Sequence, residues 1–170
     1  MTLEGSQLRV DCRLSVGIDF VAQGGGPRIV QECAARLGMD FALANPPKYD
    51  PSMVVVEQAR LLAEDTGSTI VLTNDPNEAA HGAHAIYTDV WASMGAENEA
   101  AERRTAFQDY QVDDDLMNQA RPNAIFMHCL PAKRGEEVTD SVVESPRSVV
   151  FDQAENRLHA QKALLLMLLS

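Results

Sequence analysis

The run Ile125-Phe126-Met127-His128-Cys129-Leu130-Pro131 sets an imidazole and a thiol at the end of an apolar stretch, with a proline behind them. Four apolar residues at 124–127 follow the turn signal Arg121-Pro122-Asn123, which predicts a short buried parallel strand that Pro131 stops. In an open α/β sheet, ligands bind in the crevice outside the carboxyl ends of the strands, so Cys129 is expected at the rim of a pocket. An isolated cysteine is ordinarily a small buried hydrophobe. Here polar His128 and the charged loop Lys133-Arg134-Gly135-Glu136-Glu137 argue instead for a wet site, electropositive on one side and able to lower the thiol pKa. Neighbouring side chains on a strand point to opposite faces, which speaks against a Cys-His hydrolase dyad and for an orienting role of His128.

Two further charged residues stand where chemistry is done. Asp89 is delivered to the sheet rim by the apolar strand at 85–88, where a helix N-cap is the ordinary job of an aspartate. Arg157, in the first turns of the closing helix, is either an anion donor or half of a surface ion pair. His81, His84 and His159 show no metal-ligand spacing. Gly24-Gly25-Gly26 precedes a helical pattern, and such a junction is able to cradle an anion. It matches neither GxGxxG nor a Walker loop, however, and reads better as a flexible loop.

The elements that must carry these residues alternate between short apolar runs and longer amphipathic ones, the signature of a parallel sheet covered by helices. Strands are expected at 39–44, 69–72, 85–88, from Ile125, and at 148–151. Helices are expected at 51–65, with Val54, Val55, Leu61 and Leu62 inward and Gly67 as the stop, then behind Asn74-Asp75-Pro76 up to Gly82. Further helices are expected at 97–108, 112–120 and 153–169. Near the start, 8–10 and 16–22 read as strands and 27–37 as a helix.

With 170 residues the chain suffices for one domain with a substantial core. Cys12, Cys33 and Cys129 form no CxxC pair and are odd in number, which argues against a disulfide scaffold or zinc site and for the reducing cytoplasm. No secretory or transit pattern opens the chain, and the apolar run at 163–169 is too short to span a bilayer. A net charge of -11 without a basic patch disfavours nucleic acid as a partner. The acidic runs Glu97-Asn98-Glu99 and Asp113-Asp114-Asp115 read as solvated surface.

Three segments, in order, resemble one family. His128-Cys129-Leu130-Pro131 is similar to the signature of the ornithine carbamoyltransferases. Thr88-Asp89-Val90-Trp91-Ala92-Ser93-Met94-Gly95 resembles their Asp-x-x-x-Ser-Met-Gly loop, and Asp152-Gln153-Ala154-Glu155-Asn156-Arg157 their last motif before the closing helix. The resemblance implies a Rossmann-like three-layer α/β domain, with a parallel sheet flanked by helices. It covers only the second of the family's two domains: 37–170 corresponds to the ornithine-binding domain, 1–36 is a divergent N-terminal segment of the same domain, and the carbamoyl-phosphate-binding domain is absent.

The implied reaction is attack of ornithine's δ-amine on carbamoyl phosphate to give citrulline and phosphate, with no cofactor and no metal. Carried over by position, Asp89 would face the substrate's α-ammonium. Ser93 and Met94 would close over the ligand, with Gly95 as a hinge. Cys129 would touch both substrates and accept a proton, Leu130 would offer a backbone group, and Arg157 would approach carbamoyl phosphate. Relatives carry Gly-Asp-Gly-Asn-Asn where this chain has Gln23-Gly24-Gly25-Gly26-Pro27, so one ornithine contact is missing. The loops that bind carbamoyl phosphate are missing as well. The implied partners are L-ornithine, carbamoyl phosphate, and a further copy or a complementing carbamoyl-phosphate-binding domain. Putrescine, acetylated ornithine and aspartate are the alternative acceptors, and Ser93-Met94-Gly95 favours ornithine. Other readings are a non-catalytic amino-acid-binding or docking module, and a fold that has lost its ligand.

Overall fold

The computed structural model describes residues 13–17, 26–92 and 99–170. Expected elements at 8–10 and most of 16–22, the glycines Gly24 and Gly25, and Ser93, Met94 and Gly95 lie outside the described residues.

The strands are β1 (Arg13–Gly17), β2 (Asp40–Ala44), β3 (Ile70–Thr73), β4 (Ala85–Thr88) and β5 (Ile125–His128). All pairings are parallel, in the order β3-β2-β1-β4-β5. The chain winds outward from β1 through β2 to β3, then returns to the other side of β1 for β4 and β5. The winding therefore reverses between β1 and β4, and a crevice opens there at the carboxyl ends. The helices are α1 (Gly26–Arg36), α2 (Met53–Thr66), α3 (Pro76–Ala80), α4 (Ala100–Phe107), α5 (Asp114–Gln119), α6 (Asp140–Val143) and α7 (Val150–Leu169).

β2 shows why both faces must be covered. Phe41 and Leu43 join Ala34, Ala35, Ala59, Ala63 and Ile70 beneath α1 and α2, whereas Ala42 and Ala44 join Ala79, Trp91, Phe107 and Tyr110 on the other side. A third cluster forms around Ile86 and Phe126, closed by Val112, Leu116, Val138, Val142 and Val150. Each large apolar side chain so buried contributes about 1.5–3 kcal/mol of transfer free energy.

Local signals act as expected at two helix ends. Gly67 adopts φ 70 and its N–H closes α2 on the Ala63 carbonyl. The Asp75 side chain accepts from Asn77 N at 2.9 Å, with Pro76 opening α3. Asp113 differs from the solvated reading, because its Oδ1 caps α5 by accepting from Leu116 N at 2.8 Å. Glu99 is exposed, as the solvated reading has it, and ion-pairs at 3.0 Å with the buried Arg103.

α2 is rotated relative to expectation. Val56, Ala59 and Ala63 face inward, Val55 and Leu62 are half-buried, and Val54 and Leu61 are 68% and 62% exposed. The small Ala59 and Ala63 meet Ala34 and Ala35 of α1, so the helices lie close and the larger side chains are forced outward.

The expected strand at 148–151 is reduced to a single bridge, Phe126 to Ser148, before α7 begins at Val150. The Arg147 guanidinium pins this segment by donating to the carbonyls of Ala124, Met117 and Arg121 at 2.9, 2.8 and 3.0 Å. α7 runs for 20 residues, yet only Val150 is buried, and Leu158, Leu165 and Leu169 are exposed. Among the described residues no helix is long and apolar enough to cross a membrane.

Candidate active site

The β4–β5 register places Thr88 beside His128, so Asp89 and Cys129 leave the sheet side by side near the point where the winding reverses. The Cys129 thiol donates to Asp89 Oδ1 at 3.0 Å, and the same oxygen accepts from Val90 N at 2.8 Å. Two residues 40 positions apart thus meet because adjacent parallel strands end at the same level.

His128 organises the turn that follows. Its Nδ1 accepts the Leu130 N–H at 2.8 Å, and Leu130 takes φ 54, a conformation that costs a leucine about 1–2 kcal/mol. The Leu130-Pro131 peptide is cis. The other ring nitrogen, Nε2, lies 3.3 Å from Glu137 Oε1, and both side chains are fully buried. Glu137 also accepts the Lys133 N–H, so the loop is tied back onto β5 at both ends. Glu137 therefore does not belong to the solvated face that the charged loop suggested. The turn at 133–136 folds it inward, with Glu136 N bonded to Lys133 O at 3.0 Å and Gly135 at φ 83.

The electrostatics reverse the expectation for the thiol. The Cys129 pKa is pushed up to about 12, first by burial and then by the hydrogen bond and charge of Asp89; the hydrogen bond from Tyr87 works weakly the other way. The loop cations do not counter this, because they are engaged elsewhere. Lys133 reaches toward Glu136 at 3.9 Å, and Arg134 pairs with Asp140 and Glu144 at 2.8 and 2.6 Å. Cys129 is accordingly a neutral thiol at neutral pH. The Tyr87 hydroxyl is held above the ordinary phenol range by burial, by its contact with Cys129, and by the charge of Asp89.

Among the described residues, Asp89, His128 and Cys129 offer donor atoms within 4.8 Å of one another. They do not suit a metal ion. One His128 nitrogen holds the Leu130 N–H and the other faces Glu137, so neither is free to ligate. The same engagement of both nitrogens leaves no Cys-His dyad.

Of the residues expected at the site, Asp89, Cys129 and Leu130 are brought together. Arg157 is exposed on α7, one turn beyond Gln153 and on the same helix face by its spacing. Sequence reasoning did not single out Tyr87, Gln153 or Glu137. Gln153 Oε1 accepts from His128 N at 3.0 Å, and Tyr87 is hydrogen-bonded to both Cys129 and Gln153. The available signals were small: Tyr87 lies two residues before Asp89 on β4, and Gln153 lies inside the segment that ends at Arg157.

A thiol and a carboxylate at the crevice of a doubly wound parallel sheet define a small-ligand-binding α/β domain of Rossmann type. The family profile described as "Aspartate/ornithine carbamoyltransferase, Asp/Orn binding domain" matches residues 28–168, and the chain belongs to that family. It is 56% identical over 158 residues to an ornithine carbamoyltransferase of Hyperthermus butylicus, covering 91% of this chain and 50% of that protein. It is 50% identical over 156 residues to the ornithine carbamoyltransferase of Geobacillus stearothermophilus, covering 90% and 50%. The solved ornithine carbamoyltransferase from Pyrococcus furiosus superposes with a TM-score of 0.83 at 47% identity, over 91% of this chain and 49% of that one. The chain thus spans about half the length of the relatives it matches.

Proposed function

We propose that this chain is the ornithine-binding part of an ornithine carbamoyltransferase, with 37–170 as the amino-acid-binding domain, 1–36 as a divergent segment of the same domain, and carbamoyl phosphate held by residues outside it. The observation that carries this reading is the 3.0 Å contact between Cys129 and Asp89 at the carboxyl ends of adjacent strands. In the proposed reaction the neutral δ-amine of L-ornithine attacks the carbonyl carbon of carbamoyl phosphate. A C–N bond forms, the C–O bond to phosphate breaks, and the amine gives up a proton. The Cys129 sulfur accepts that proton as its own hydrogen passes to Asp89.

Asp89 also supplies the counter-charge for the substrate ammonium. Ser93 and Met94 cover the ligand, Leu130 presents a backbone group, and Arg157 approaches carbamoyl phosphate. Positioning an amine against a carbonyl lowers the barrier by pre-arranged entropy and needs no cofactor. The test is citrulline formation by the purified chain with both substrates, beside a Cys129→Ala control, followed by calorimetric titration with ornithine. Ornithine binding that is lost in Asp89→Ala, with little or no citrulline formed by the chain alone, is the expected result. A chain that neither turns over nor binds ornithine refutes the reading.

A second reading is an amino-acid-binding module without turnover, favoured by the neutral state in which the thiol is held. It predicts ornithine binding with no citrulline, even when an isolated carbamoyl-phosphate-binding domain is added.

A further inference from the structure

Tyr87 lies outside the roles assigned above, yet its hydroxyl touches the sulfur on which they turn. It is hydrogen-bonded on one side to Cys129 and on the other to Gln153. The direction of each bond follows from its neighbours. His128 N is a donor, so the Gln153 atom it meets at 3.0 Å is the carbonyl Oε1, which leaves the Nε2 hydrogens to donate to the Tyr87 oxygen. Having accepted there, the Tyr87 O–H donates to Cys129 Sγ, and the thiol in turn donates to Asp89 Oδ1 at 3.0 Å. All the hydrogens of the chain Gln153, Tyr87, Cys129, Asp89 point one way and end on the carboxylate, an arrangement in which each bond polarises the next.

We propose that Tyr87 is a positioning residue for Cys129: its hydroxyl donates to Sγ, which turns the thiol hydrogen toward Asp89 and leaves a donor in place for the sulfur's charged form. Gln153, anchored by the backbone of His128, keeps Tyr87 in that orientation. The inference rests on the proposed function only for what Cys129 acts upon; the chain of hydrogen bonds is a property of the domain itself.

Among the described residues, the groups facing the sulfur are few. Asp89 and Tyr87 approach from β4 and the residue after it. From β5, His128 lies in the same cluster but spends Nδ1 on Leu130 N. From α7 the hydrogen-bonded contact is the uncharged Gln153, and the loop cations Lys133 and Arg134 are paired with Glu136, Asp140 and Glu144.

The experiment is iodoacetamide alkylation of the folded chain between about pH 7 and 11, with the Cys129 peptide quantified by mass spectrometry so that Cys12 and Cys33 do not interfere. In Tyr87→Phe the ring is retained and the hydroxyl lost. Its Cys129 profile should move to higher pH by about one unit, from the lower end for one hydrogen bond to a charged group, and alkylation at fixed pH should fall roughly threefold, since the scarcer thiolate is also the stronger nucleophile. A merely structural role would not displace the pH profile. Gln153→Met removes the donor that orients Tyr87 and should shift the profile the same way, with alkylation falling roughly twofold, so it decides the matter if Tyr87→Phe does not fold. An unchanged profile, or a move to lower pH, in a folded variant overturns the proposal. Ornithine titration of the unmodified chain reports separately on the functional reading: its failure would leave the hydrogen-bond chain standing, and an unmoved alkylation profile would leave ornithine binding standing.

Discussion

Replacing Asp89 by Asn removes a charge 3.0 Å from the Cys129 sulfur while keeping the shape of the side chain. The thiol stands at about 12 against an ordinary 9.0, a difference of about 4 kcal/mol between its protonation states. At pH 8 the thiolate is then about one molecule in ten thousand, against about one in ten for an ordinary thiol. A scarcer thiolate is also a stronger nucleophile, with a Brønsted slope of about 0.4–0.5, which recovers roughly twentyfold of a thousandfold loss. Iodoacetamide should therefore modify Cys129 roughly fiftyfold more slowly in the folded chain than in the chain unfolded by urea. Burial is the largest cause of the elevation and persists in Asp89→Asn, whereas the Asp89 charge disappears. The midpoint of the alkylation profile should move down by about one pH unit, and the rate at pH 8 should rise roughly threefold. The readout is the peptide-resolved rate across pH in a variant shown to be folded by circular dichroism. A midpoint that stays put or rises would refute the claim that Asp89 helps to keep this thiol protonated. The direction is opposite to that expected for Tyr87→Phe, so the two variants together separate the acceptor from the donor at one sulfur.

The same elevation sets a sign for stability. The folded chain holds the Cys129 proton more tightly than the unfolded chain, so this contribution is complete below about pH 9 and declines as pH rises toward 12. Urea melts across that range should show a weaker alkaline loss in Cys129→Ser; an equal loss counts against it. Glu137→Ala should destabilise by about 3 kcal/mol in urea melts, because it takes the buried partner from His128 and the acceptor from Lys133 N. A cost below about 1 kcal/mol would show that the pair is not a structural tie. Gly67→Ala should cost about 1 kcal/mol from its positive φ alone, since a Cβ there meets no atom within 4 Å. Paired Leu165→Gln and Leu168→Gln changes on exposed positions of α7 should leave stability within about 0.5 kcal/mol, as read by thermal melting; a larger fall would mean this helix is packed.

The local and periodic features of this protein were legible in its sequence. Apolar runs bounded by Pro, Gly and Asn marked β2, β3, β4 and β5, because strands buried on both faces need continuous apolar residues. Gly67 and the Asp75-Pro76 pair marked helix ends, because capping is decided within one turn. The motifs around Asp89, Cys129 and Arg157 pointed to the family that residues 28–168 match. What depended on distance along the chain had to wait for the tertiary structure. Val54 and Leu61 fit an inward face as well as Ala59 and Ala63 did, and only the close approach of α1 chose the small residues. Glu137 looked solvated until the 133–136 turn folded it beneath His128. Most consequentially, the basic loop beside Cys129 promised a lowered thiol pKa, and folding decided the opposite. Burial raised it first, Lys133 and Arg134 found carboxylates of their own, and the register of β4 against β5 set Asp89 beside the sulfur. Coulomb interactions depend on separation in space, so the sign of that shift could not be read from neighbours in sequence.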